Sequence, residues 1–151
     1  GAKKPARIMK TYKLAICYAI AIMTVGLVIF QTIPELLLTL FAEADGSAEE
    51  LIAVGVPALR TISFHFPVAA YCIMTGAMFQ ALGHGVLSLI NSVIRQLCVL
   101  LPAAYILSII GGLDAVWFSF LFAEVASLIV SALFILRVYK GQIKPMYDAQ
   151  K

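Results

Sequence analysis

Residues 115–136 read AVWFSFLFAEVASLIVSALFIL, and residues 87–107 read LSLINSVIRQLCVLLPAAYIL. Each is an apolar run carrying one full charge, Glu124 in the first and Arg95 in the second. Neither has the polar face that a helix on the surface of a soluble protein needs. Each is long enough to cross the hydrocarbon core of a bilayer, which takes about 20 residues at a rise of 1.5 Å. A charge at that depth needs a partner or a polar cavity, so Arg95 and Glu124 are the first candidates for function.

The composition extends this reading to the whole chain. Of 151 residues, 62% are hydrophobic and 13% charged, and the mean hydropathy is +0.99. A soluble domain has roughly 25% charged residues, and so few charges cannot cover the surface of one this size. The expected fold class is all-α, a polytopic membrane protein with spans over residues 11–32, 51–82, 87–110 and 115–137. Ile33-Pro34 ends the first span, and Pro34 to Phe41 reads as a short interfacial helix. Asp45-Gly46 signals a turn, and Ser47-Ala48-Glu49-Glu50 a capping box that opens the second span. That span would be about 48 Å long, longer than the bilayer core, and Pro57 and Pro67 can bend it. Gly83-His84-Gly85 and Gly111-Gly112 close the remaining connections.

Charge gives the orientation. Lys3, Lys4, Arg7, Lys10 and Lys13 crowd the start; Arg137, Lys140, Lys144 and Lys151 crowd the end. Between the first two apolar runs lie Glu35, Glu43, Asp45, Glu49 and Glu50 with no basic residue. The positive-inside rule then sets residues 1–10 and 138–151 on the cytoplasmic side of the cell's inner (plasma) membrane, held by anionic lipid. Both charge runs flank apolar spans and read as solvated membrane flanks, so no nucleic-acid partner is expected. Cys17, Cys72 and Cys98 stand singly, without the spacing of a metal or disulfide site. Paired acids, a His cluster and a glycine-rich phosphate loop are all missing, so neither an enzyme nor a cofactor is expected.

Helical periodicity sorts the candidate contacts. In the fourth span Ala115, Ser119, Ala123, Ser127 and Ser131 form a small-residue stripe suited to close helix packing. In the second span, Thr61, His65, Ala69, Cys72 and Gly76 form another, with His65 read as a hydrogen-bonded packing residue. A broader face holds Arg60, Ser63, Phe64, Pro67, Tyr71, Met74, Thr75 and Met78. Arg60 is expected to snorkel at the outer interface. Phe64, Tyr71, Met74, Thr75 and Met78 are the candidate substrate-binding residues, because methionine and aromatic side chains adapt to varied apolar ligands. Arg95 and Glu124 lie at depths an arginine side chain can bridge. They form either an internal ion pair, with Asn91 and Gln96 adding hydrogen bonds, or a site where Glu124 exchanges protons for ion coupling.

From residue 79 the order of motifs becomes distinctive. Phe79-Gln80-Ala81-Leu82-Gly83-His84-Gly85 is followed by Arg95, Pro102, Gly112-Leu113-Asp114-Ala115-Val116-Trp117 and Glu124. Together with Leu40-Phe41 before an acidic loop, this resembles the C-terminal lobe of the multidrug and toxic compound extrusion (MATE) family. The opening Gly-Ala-Lys-Lys is similar to the cytoplasmic connection before that family's ninth helix, so the chain is expected to begin inside a longer protein. The resemblance implies the ninth to twelfth helices of a twelve-helix, two-lobe antiporter. Such proteins expel small cationic or amphipathic compounds in exchange for protons or sodium. It also implies that the second span borders a central cleft, while the helices of Arg95 and Glu124 lie further from it. The expected partners are the lipid bilayer, the remaining helices of the transporter, its substrates, and H+ or Na+. One departure stands out. In some members an acidic residue of the tenth helix binds the coupling cation, and here that level is Tyr71-Cys72, with no acid after Glu50. The competing expectations are a lipid-linked saccharide flippase of the same superfamily and a non-transporting four-helix membrane scaffold.

Overall fold

A computed structural model describes residues 4–42 and 48–148, apart from the side chains of Ala42, Ala48 and Tyr147. The expected turn at Asp45-Gly46 and the Ser47 cap lie outside the described residues. Among the described residues every element is helical: α1 (Pro5–Thr32), α2 (Pro34–Ala42), α3 (Ala48–Ser63), α4 (Phe66–Ala81), α5 (Gly85–Val93), α6 (Leu101–Val116), α7 (Phe118–Val138) and α8 (Lys144–Asp148). Two π-helical segments, Ile94–Leu100 and Tyr139–Ile143, join α5 to α6 and α7 to α8. Three helices, Pro5–Thr32, Gly85–Val116 and Phe118–Met146, are long and apolar enough to cross a membrane, and the bent pair α3–α4 supplies a fourth if it is one span.

Proline sets most of the boundaries. Pro5 stands in the first turn of α1, where a missing N–H costs nothing. The helix therefore starts at Pro5, before the apolar run itself. Pro34 pushes Ile33 out of the helical region, to φ −129° and ψ 42°, and α1 stops. Pro67 leaves the Ser63 carbonyl without its intrahelical donor. There the second apolar run is not one curved helix: it breaks at Phe64 and His65 and turns by 59°. His65 stitches the break, with both its backbone N–H and its imidazole Nδ1 bonded to the Ile62 carbonyl. Pro57, by contrast, sits inside α3 without interrupting it.

Pro102 acts a third way. The π segment Ile94–Leu100 ends just before it, and the Leu101 N–H reaches back five residues to the Gln96 carbonyl. The extra residue per turn absorbs the missing donor without breaking the helix. Glycine makes the two sharp reversals. After α4, Gly83 adopts φ 83°. Its N–H bonds the Gln80 carbonyl and that of His84 bonds Phe79, the paired pattern of a left-handed helix cap. Gly112, at φ 67° and ψ −157°, kinks α6 four residues before its end and redirects the chain towards α7.

The helices pack antiparallel. Along α1, Tyr12 meets Thr75, Phe30 meets Phe66 and Gln31 meets Ser63, so rising numbers on one helix face falling numbers on the other. Along α7, Ser131 and Ser127 meet Asn91 and Glu124 meets Arg95. Much of the interior is small or polar: Ser63, Thr75, Ser88, Asn91, Ser119, Ser127, Ser131 and Glu124 are buried alongside Ala58, Ala69, Ala70 and Ala123, with Phe79 and Ile143 the large apolar side chains most fully enclosed. Large apolar side chains such as Ile22, Phe41 and Ile110 point outwards and are more than 70% exposed. That is the reverse of a water-soluble core and the arrangement a lipid solvent favours.

The C-terminal end departs from the expected solvated tail. Helix continues from α7 to Asp148, and Ile143, fully buried, packs in one apolar cluster with Tyr12 and Met78. Gln142 accepts a 2.9 Å hydrogen bond from His84 Nε2. Residues 139–143 thus clamp the α4–α5 turn against the start of α1.

Candidate functional site

Two places in the fold gather the sequence-derived candidates. The first is a polar seam between α5 with its π segment and α7. Arg95 Nη1 donates to Glu124 Oε1 at 2.9 Å. One helical turn away, Asn91 Nδ2 donates to Ser127 Oγ and Ser131 Oγ, both at 3.1 Å, and the Ser127 hydroxyl returns a longer bond to Asn91 Oδ1 at 3.4 Å. Gln80 on α4 extends the seam, donating to Ser88 Oγ at 3.0 Å. The α7 serines reach their partners because they recur every four residues on one face, and Gly76 gives Ser88 room: a Cβ there would lie 3.1 Å from its Oγ.

Arg95 and Glu124 are unequally enclosed. The Glu124 side chain is 6% exposed and that of Arg95 31%. A cavity of about 250 Å³, lined by Arg95, Asn91, Gln80 and Cys72 among others, lies on the arginine side of the seam. Glu124 Oε2 is buried with no hydrogen-bond partner among the described residues, as are Ser119 Oγ and Trp117 Nε1. The expected help from Asn91 and Gln96 is corrected here. Asn91 spends its amide on the α7 serines, and Gln96 is exposed with no side-chain bond to the pair.

The second place is the interface of α1 with α4. Thr75, fully buried, donates to the Tyr71 carbonyl at 2.8 Å and accepts a 2.7 Å bond from the Tyr12 hydroxyl. Beside this bond a cavity of about 540 Å³ opens between the two helices, with Met74 and Met78 on one wall and Tyr12 on the other. Of the five residues read as a substrate face, Met74 and Met78 line that cavity. Thr75 is turned into the α1 contact, Tyr71 is half-buried, and Phe64 stands 63% exposed in the break between α3 and α4. The five therefore do not surround a single cavity.

Sequence reasoning passed over Tyr12. It lies in the first apolar run next to the basic cluster, and its hydroxyl inside that run was the available signal, since a buried phenol needs a partner. His65 packs as an aromatic, stacked on Phe120 at 6.0 Å and edge-on to Phe66. Arg60 is exposed, and its carbonyl, with Ser63 Oγ, accepts from Gln31 Nε2 at 2.9 Å, tying the end of α1 to the break. No group of three or more metal-ligating side chains exists among the described residues. Comparison of the chain with protein-family models, with curated proteins and with solved structures finds no match.

Proposed function

We propose that this chain supplies the ninth to twelfth helices of a MATE-type secondary transporter, a multidrug efflux antiporter of the inner membrane. The whole protein would export cationic or amphipathic compounds in exchange for protons or sodium, with both ends of this segment cytoplasmic. The observation that carries the reading is the second span. It is broken by 59° at His65, with Phe64 in the break and Tyr71 beyond it, both outside the cavity between α1 and α4. Bent helices with adaptable side chains suit a wall that rearranges around unlike ligands. The order of motifs from Phe79 to Glu124 supports the same family.

The Arg95–Glu124 pair fits a clasp that keeps the last two helices together while the lobe moves as a unit. With no acid in the second span after Glu50, the coupling acid belongs to another part of the transporter, or is Glu124 itself. The test is drug accumulation in cells expressing the full-length gene product. Accumulation should fall, and be restored when the sodium or the proton gradient is collapsed. Accumulation indifferent to both gradients would favour the membrane scaffold, and movement of lipid-linked saccharide would favour the flippase.

A further inference from the structure

The cavity between α1 and α4 has a chemical polarity that its methionines alone do not explain. Its wall is apolar, built from Met74, Met78 and Leu82 against Tyr12, while its mouth carries Lys4 and Arg7. Among the described residues no acid lines it. On the α1 side, Arg7, Ile8, Thr11, Tyr12 and Ala15 recur at the three- and four-residue spacing of one helix face, and with Lys4 just before the helix they span about 16 Å along the axis. Residues 4–10 of that length belong to the basic flank and Thr11 to Ala15 to the start of the first apolar run, so the groove leads from the head-group region into the hydrocarbon. We propose that this groove binds an anionic phospholipid, its phosphate between Lys4 and Arg7 and one acyl chain along Met74, Ala77 and Met78.

Charge complementarity decides the occupant. Two cations at the mouth repel the head of a cationic amphiphile and attract a phosphate, and basic pockets between helices at the cytoplasmic face are suited to anionic head groups. The volume of about 540 Å³ lies within the range of small-molecule sites. Lys10 and Lys13 belong to the same basic cluster and are exposed, but they do not line the groove. They separate a specific site from general attraction to the membrane surface. The inference requires only membrane insertion and does not rest on the antiporter reading.

The experiment is native mass spectrometry of the delipidated full-length protein, titrated separately with dioleoyl phosphatidylglycerol and dioleoyl phosphatidylcholine. Phosphatidylglycerol should bind more tightly. Lys4→Ala with Arg7→Ala should weaken it roughly 30-fold, corresponding to about 1 kcal/mol per basic residue, and leave phosphatidylcholine unchanged. Lys10→Ala with Lys13→Ala should stay close to wild type. Ala77→Phe, which fills the wall and keeps both charges, should weaken both lipids. Equal losses from the two lysine-containing pairs, no preference for phosphatidylglycerol, or an Ala77→Phe variant that binds normally would each overturn the proposal.

Discussion

Arg95 and Glu124 are joined by a 2.9 Å charged hydrogen bond between the π segment that follows α5 and the first third of α7. The carboxylate is almost wholly enclosed and the guanidinium faces a small polar cavity. Removing one member strands the other charge, whereas removing both leaves an apolar contact. Arg95→Ala and Glu124→Ala should each destabilise the protein by about 3 kcal/mol, while Arg95→Ala combined with Glu124→Ala should cost much less than the sum of the two. Unfolding of the four species in detergent completes the cycle; additive losses would show that the pair is not coupled. Glu124→Gln should lower yield yet keep efflux per folded molecule, as a clasp predicts.

The Asn91 seam should be weaker. Its amide holds two α7 serines, both within reach of their own helical carbonyls once the amide is gone. Interhelical hydrogen bonds in membranes average about 0.6 kcal/mol, so Asn91→Ala should cost about 1–2 kcal/mol, measured by the same unfolding assay. A loss as large as that of Glu124→Ala would place the main fastening of α5 to α7 at Asn91 instead.

Gly112 should tolerate no side chain. Its φ of 67° with ψ −157° is essentially restricted to glycine, and Gly112→Ala should cost about 1–3 kcal/mol. Gly111→Ala should also be harmful for a different reason, since its Cβ would sit 2.6 Å from that of Ala115. Gly85→Ala is the contrast, with open space around the new methyl group and no positive φ, and should be close to neutral. Thermal stability of the three variants distinguishes strain, crowding and tolerance.

These positions show what the sequence discloses. Apolar run length reveals the helices, and Pro34, Gly83 and Gly112 mark where they end, because proline and glycine act on their own backbone. The π segments were not visible, because Pro102 can be accommodated by a break, a kink or a widened turn, and neighbouring packing selects among them. Helix starts were also obscured: α1 begins at Pro5 although its apolar run begins near Thr11, since basic residues are compatible with helix outside the hydrocarbon. The burial of Ile143 depends on residues more than sixty positions away, Tyr12 and Met78, which no local pattern records. Polar partners follow the same logic. The charges of Arg95 and Glu124 announced a pairing, but only the packed register assigns Asn91 to Ser127 and Ser131 and Tyr12 to Thr75.

The Tyr12–Thr75 bond fastens α1 to the half of the second span beyond the break. Tyr12→Phe keeps the ring against Met78 and Ile143 and removes only the hydroxyl, so it should cost about 0.5–1.5 kcal/mol. Thr75→Val should cost a similar amount, and the double variant little more than either. A double loss equal to the sum, read by chemical unfolding, would show that the two hydroxyls do not act through each other.

The most direct measurement is efflux of a fluorescent cation by the purified full-length protein in proteoliposomes, with sodium and proton gradients imposed one at a time. The account predicts that at least one gradient drives export, and that Phe64→Ala with Tyr71→Ala slows it without unfolding the protein. Transport driven by neither gradient, from protein shown to be folded and inserted, would contradict it.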